Sequence, residues 1–110
     1  PSPPGVTTVP LGNLANATYA IFPPNFYPSV HTAPHPQWVV FTSGLAVITL
    51  PNNTGSAYVL GGSDGITIMV DTVGTGHNTS YPLDTDTTAL LIPFEDGVIP
   101  AHSVVADGPC

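Results

Sequence analysis

The sequence contains no lysine and no arginine among its 110 residues. Its seven acidic residues therefore give a formal net charge of -7 at neutral pH when the four histidines are counted as neutral. Lysine and arginine make most protein contacts with nucleic-acid phosphates and with anionic membranes. We therefore expect neither nucleic acid nor membrane as a partner. Schiff-base catalysis and arginine clamps on anionic substrates are excluded as well.

Cysteine and long apolar runs are also scarce. The single Cys110 permits no disulfide bond within this sequence and excludes the cysteine-based zinc patterns. No apolar run approaches the roughly 18 residues of a membrane-spanning helix. Hydrophobic residues nevertheless make up 42% of the chain, which at this length is enough for the core of one domain.

Helices have little room in this sequence, because 11 glycines and 14 prolines interrupt it. Between these interruptions lie short runs rich in β-branched and aromatic residues, separated by turn-forming residues, and such runs are typical of strands. We predict an all-β domain at residues 13–110, preceded by an extended arm at residues 1–12. The predicted strands are residues 18–22, 38–42, 45–50, 56–60, 66–71, 87–94 and 103–105.

Alternation of side chains predicts the faces of two strands. In residues 66–71, the aliphatic side chains share one face, and Thr67, Met69 and Asp71 share the other. Residues 38–41 are apolar at every position, which is typical of a strand covered on both faces. The sequence therefore favours a layered sandwich or a barrel.

Three of the four histidines lie close to turn signals. His31 and His35 precede Gln37 in one segment, and His77 follows a glycine-rich segment. Imidazole is the commonest metal ligand in proteins, so these histidines are candidates for a metal site. Their spacing alone favours histidines that cap loops or satisfy buried polar groups.

The segment from residue 31 to residue 44 resembles the first conserved motif of the cupin superfamily. That motif reads His, any residue, His, three or four residues, Glu, six residues and Gly. Counting back from Gly44 places Gln37 at the glutamate, Ala33 at the second histidine and His31 at the first.

The second cupin motif ends in Gly, two residues and His, and Gly74-Thr75-Gly76-His77 fits it after a predicted strand. The segment from Asp71 to Thr79 is similar to that of small single-domain cupins from bacteria and fungi. The residues from 92 to 110 resemble those of small secreted fungal members. The likeness covers the chain roughly from Phe22 onward.

The resemblance implies a single-domain cupin barrel, that is, a jelly roll or double-stranded β-helix. Cupins bind a divalent metal ion through three histidines and a glutamate. Here Ala33 replaces one histidine and Gln37 replaces the carboxylate, so the implied ligands are His31, Gln37 and His77. A neutral ligand set of this kind suits Zn, Cu, Ni or Fe rather than Mg or Mn.

Other side chains near the two motifs are additional contributors to the implied site. His35 would join the ligands if its segment bends inward. Thr79 and Tyr81 follow His77 in the chain. The second motif departs from the family here, since Thr72 stands where it usually has proline and Tyr81 where it usually has asparagine. These additional contributors are His35, Thr79 and Tyr81.

Three sequons for N-glycosylation predict that the protein is secreted. They lie at Asn16, Asn52 and Asn78. If His77 points into the barrel, alternation directs Asn78 outward and Thr79 inward, so that a glycan at Asn78 leaves the interior free.

Two kinds of function remain open at this point. The first is a metal-dependent enzyme that acts on a small molecule, for which the sequence identifies no general base. The alternative is a non-catalytic extracellular glycoprotein that binds a small ligand or a carbohydrate, or that has a structural role. Because cupins often pair through edge strands, the resemblance also leaves a homodimer open.

Overall fold

The structure is a computed structural model that describes residue 4, residues 12–51 and residues 55–107. Nearly all of the predicted N-terminal arm lies outside these residues, and so do Asn52 and Cys110. No helix in the described part of the chain is long and apolar enough to cross a membrane.

The described residues form seven strands and one short 3-10 turn at Glu95–Gly97. Every predicted strand is present except residues 103–105. The prediction for residues 103–105 was wrong because Val104 and Val105 are exposed and pair with no strand in the described part of the chain. The strands are β1 (Thr18–Phe22), β2 (Gln37–Ser43), β3 (Leu45–Thr49), β4 (Ser56–Leu60), β5 (Ile66–Met69), β6 (Asn78–Ser80) and β7 (Thr87–Pro93).

The strands form two antiparallel sheets, which confirms the all-β prediction. One sheet has four strands in the order β1-β7-β2-β5, and the other has three in the order β4-β3-β6. The expected closed barrel is not seen in the described residues, where the two sheets share no paired strands. The described architecture is therefore compatible with a β-sandwich.

The chain passes from one sheet to the other at Gly44, between β2 and β3. Gly44 has a φ of 84°, a conformation that favours glycine. A Cβ atom at this position would also clash with Thr87 on β7. Glycine at residue 44 therefore allows β7 to pack closely against the crossing.

One end of the interior is tightly packed. Phe41 on β2, Ala46 on β3 and Ala89 on β7 are at most 1% exposed. Thr87 is fully buried beside them, and its hydroxyl accepts a hydrogen bond from the Leu45 N–H (3.2 Å) and donates one to the Leu45 carbonyl (3.3 Å). We call Phe41, Ala46, Thr87 and Ala89 the packed end.

The alternation predicted for β5 is present, and its aliphatic face points outward. Met69 packs against the core, whereas Ile66 and Ile68 are 41% and 36% exposed. The register explains this orientation, because Ile68 pairs with Trp38 on the outer face of β2. Trp38 is half-buried, so the outer face of β2 is only partly covered.

Candidate functional site

The two motif histidines lie side by side although 45 residues separate them in the sequence. His31 and His77 form an isolated antiparallel bridge. The His31 N–H donates to the His77 carbonyl at 3.0 Å, and the His77 N–H donates to the His31 carbonyl at 2.9 Å. The bridge brings the centres of the two imidazole rings to 4.9 Å from each other.

The close approach of these two segments depends on Gly76. Its φ is 77°, in the left-handed region that glycine adopts readily. A Cβ atom at residue 76 would clash with the backbone carbonyl of His31. Glycine at this position therefore lets the backbone of His31 lie directly against the turn that carries His77.

The hydrogen bonds of the two rings define which nitrogen is free. His77 Nδ1 donates to the Asp71 carboxylate at 2.6 Å, and His31 Nδ1 donates to the Ser29 carbonyl at 2.8 Å. Neither acceptor can donate a hydrogen, so Nδ1 carries the proton in both neutral rings. The Nε2 atom of each ring then keeps its lone pair, which is the arrangement of metal-binding histidines with an outer partner.

A small cavity of about 110 Å³ adjoins the histidine pair. Three of its lining residues, Gln37, His77 and Thr79, are polar side chains that are at most 5% exposed. We call these three residues the polar end of the interior. Among the described residues, the side chains of Gln37 and Thr79 have no protein partner for hydrogen bonding. The cavity therefore offers polar groups to something other than the described protein.

Tyr81 also lines this cavity and is held by two aromatic neighbours. The Phe22 ring stacks on it with centroids 4.2 Å apart, and the Phe26 ring lies 6.0 Å away. Burial raises the pKa of Tyr81 to about 12 from its ordinary value of 10.0. The phenol therefore stays protonated at neutral pH and can donate a hydrogen bond into the cavity.

The structure brings most of the sequence-derived site residues together. His31, Gln37, His77, Thr79 and Tyr81 all line the same cavity, together with Ala33 from the first motif.

His35 lies elsewhere. It is exposed and lines a different cavity, which also includes Asn16. Its segment does not bend inward toward the histidine pair. His35 is thus not brought to the two motif histidines, although it lines a separate small cavity with Gln37.

The glycosylation candidates that the structure describes lie at the surface. Asn16 is exposed with a φ of 63°, and Asn78 is exposed at the start of β6. The neighbours of Asn78 are His77 and Thr79, which are 5% and 3% exposed. The alternation predicted around His77 is therefore present.

Sequence reasoning missed the residues that orient the imidazoles. The contact of Asp71 with His77 was not predicted, although the two residues are close in sequence and a turn-rich segment separates them. The Ser29 carbonyl gave no signal, because any residue type supplies a backbone acceptor. Gly76 was recognised as part of a motif, without its steric role.

A metal ion beside this histidine pair would have few protein ligands. The described residues contain no group of three or more His, Cys, Asp or Glu side chains that could hold an ion. Two imidazoles on one zinc ion, each with ~2.1 Å between nitrogen and metal, have ring centres roughly 5 Å apart. The observed separation of 4.9 Å agrees with this distance. Any third protein donor would be an oxygen, and the Gln37 amide is the buried candidate.

Comparison with known proteins adds a distant likeness in structure. No family profile matches the chain, and no curated protein sequence matches it. One similar solved structure is a conserved protein of unknown function from Streptococcus pyogenes, with a TM-score of 0.45 and 18% sequence identity. The match covers 72% of this chain and 64% of that protein, so the chain spans less than two thirds of its length.

Proposed function

We propose that this protein is an exported, cupin-type enzyme that acts on a small molecule with a divalent transition metal ion. The ion, one of Zn, Cu, Ni or Fe, is held by His31, His77 and the Gln37 carbonyl. The observation that carries this proposal is the pair of imidazoles, with ring centres 4.9 Å apart, beside a cavity in which the Gln37 and Thr79 side chains lack protein partners. The exposed positions of Asn16 and Asn78 are consistent with glycosylation of an exported chain.

The order of strands supports a jelly roll, the fold of the cupins. A jelly roll has eight strands in two sheets. The orders β1-β7-β2-β5 and β4-β3-β6 follow its pattern with one strand missing beside β6. Two isolated bridges, Phe26 with Tyr81 and His31 with His77, stand where that strand would pair. We therefore propose a jelly roll in which this strand is reduced to two bridges.

The chain's own residues have distinct roles in this proposal. A bound divalent ion supplies Lewis acidity for a substrate oxygen. Asp71 fixes the ring orientation of His77 and the tautomer that leaves Nε2 free. The protonated Tyr81 hydroxyl donates a hydrogen bond to a substrate oxygen in the cavity. Phe22 and Met69 restrict water around that oxygen, since both line the same cavity.

Metal titration of the purified protein tests the proposal. We expect the metal-free protein to bind one Zn or Ni ion per chain at neutral pH and to release it in acid, because histidine must be neutral to coordinate. His31→Ala and His77→Ala should each weaken binding by ~100-fold or more, and Asp71→Asn by ~10-fold.

His35→Ala is the matched control, because His35 is an exposed histidine of the same segment outside the cavity. It should bind metal as tightly as the parent protein. Failure of the parent protein to bind stoichiometric metal in calorimetry, or an equal loss in His35→Ala and His31→Ala, would overturn the proposal.

A further inference from the structure

A second and larger cavity lies between the free edges of the two sheets. Its volume is about 400 Å³, within the range of small-molecule sites. β4 is the outer strand of the three-stranded sheet, and β5 is the outer strand of the four-stranded sheet. Because neither edge is paired with another strand among the described residues, the gap between them stays open as a groove.

The groove is mainly apolar. Most of its lining consists of aliphatic and thioether side chains from β3, from β4 and from β5 with the residues that follow it. These side chains exclude water well and form no hydrogen bonds, so they favour an apolar occupant. They include Ile48, Leu50, Val59, Ile68, Met69 and Val70.

The groove adjoins the histidine cavity. Met69 and His77 line both spaces, and Asp71 lines the groove on the outer side of His77. A molecule in the groove would therefore have one end beside the imidazole of His77. His77 and Asp71 thus give the groove a polar end, and the aliphatic side chains give it an apolar body.

Charge restricts the kind of molecule that fits. Asp71 is the one acidic side chain among the described residues that line the groove, and it is partly exposed there. The chain has no lysine or arginine to offset it, and the formal charge of the whole chain is -7. An anionic ligand would meet repulsion from Asp71 and from the overall field of the protein.

We propose that this groove binds an uncharged, mostly apolar small molecule whose single polar end reaches His77. The negative charge of Asp71 and of the whole chain disfavours fatty acids, phosphates and other anions and leaves neutral compounds unaffected. Binding in the groove needs no metal ion, so this inference extends the proposed function and is tested separately from it.

Two fluorescent probes with one aromatic skeleton test the inference. N-phenylnaphthylamine is neutral, and anilinonaphthalene sulfonate carries a negative charge on a closely similar framework. With a chelator present, we expect the neutral probe to bind one site at least ~10-fold more tightly than the sulfonate. Asp71→Asn should reduce that preference.

Two substitutions on β4 locate the bound probe. Ala57 lines the groove, whereas Ser56 lies next to it on the opposite face of the same strand. Ala57→Phe should fill the groove and lower the affinity for the neutral probe by ~10-fold or more. Ser56→Phe adds a side chain of the same size on the opposite face and should leave that affinity unchanged.

Metal uptake measured on the same variants separates this inference from the proposed function. Ala57→Phe should lose probe binding and retain the ion. Equal affinities for the two probes, absence of binding by the neutral probe, or unchanged binding in Ala57→Phe would each overturn the groove proposal, even where metal binding is intact.

Discussion

The two ends of the protein interior are buried to a similar extent, but their polar side chains differ in hydrogen bonding. At the packed end, the one buried hydroxyl, that of Thr87, bonds to both polar groups of the Leu45 backbone. At the polar end, Gln37 and Thr79 are each 3% exposed, and their side chains have no partner in the described protein. Among the described residues, Trp38 Nε1 is the one fully buried side-chain polar atom without a partner, so the unpaired polar atoms of Gln37 and Thr79 stay accessible to water. The polar end therefore differs from the packed end in having polar groups that are open to water or to a ligand.

A single strand contributes to both ends. Along β2, the inward side chains are Gln37, Val39 and Phe41, so the interior changes from polar to apolar within five residues. The facing positions of β7 are apolar throughout, since Pro93 pairs with Gln37, Leu91 pairs with Val39 and Ala89 pairs with Phe41. The rigid packed end thus holds the strand whose other end presents the Gln37 amide.

The largest expected effect comes from a substitution in the backbone turn that holds the polar end together. Gly76→Ala introduces a side chain at a φ of 77° and places its Cβ against the His31 carbonyl. Backbone strain of about 1–2 kcal/mol and the clash should together lower the free energy of unfolding by roughly 3 kcal/mol or more. Urea denaturation measures this loss, and separation of the two histidines should also abolish metal binding.

Gly74→Ala is the matched control for Gly76→Ala. Gly74 has a φ of 93° in the same turn, and a Cβ there meets no atom within 4 Å. Gly74→Ala should lower the free energy of unfolding only by the backbone strain of about 1–2 kcal/mol and should keep its metal affinity. Equal losses in the two variants would show that contact with His31 does not determine the cost at residue 76.

The next prediction compares substitutions of two buried threonines, one at each end of the interior. Thr87→Val should cost about 1–3 kcal/mol, because it leaves the Leu45 N–H and carbonyl without their partner. Thr79→Val removes a hydroxyl that has no partner among the described residues, so it should change stability by less than ~0.5 kcal/mol or increase it. Chemical denaturation of both variants without metal checks the comparison. A cost for Thr79→Val as large as that for Thr87→Val would contradict the difference between the ends.

The strands could be predicted from the sequence because glycine, proline and asparagine mark their limits. The outward direction of β5 could not, because alternation separates two faces without showing which one has a second sheet behind it. Hydrophobicity favoured the side of Ile66 and Ile68, whereas the register with β2 turns that side outward. β6 escaped prediction because its three residues, Asn78–Ser80, are polar and too few to show a period.

The position of the site could be predicted in part. The interval from His31 to Gly44 fixed the register of the first motif, and the structure brings Gln37 and His77 to the same cavity as His31. The bond from His77 to Asp71 could not be predicted, because it depends on how the turn between them folds. The position of His35 could not be predicted for the same reason. The prolines on either side of it determine the direction of the chain there, and the spacing of the histidines in the sequence does not show that direction.

The smallest expected effect concerns Tyr81, which lies in the core and also faces the polar cavity. Tyr81→Phe should leave stability at neutral pH within ~0.5 kcal/mol, because the hydroxyl has no partner in the described protein. In alkali the two proteins should differ. The folded pKa of about 12 exceeds the ordinary 10.0, so the stability contributed by the protonated phenol is complete below pH 10 and is lost as the pH rises through 12. Urea denaturation across that range should show a decline that Tyr81→Phe lacks and that the exposed-site control Tyr58→Phe retains. The same decline in Tyr81→Phe would show that burial of this phenol does not govern alkaline stability, and that the cavity is wetter than its aromatic walls indicate.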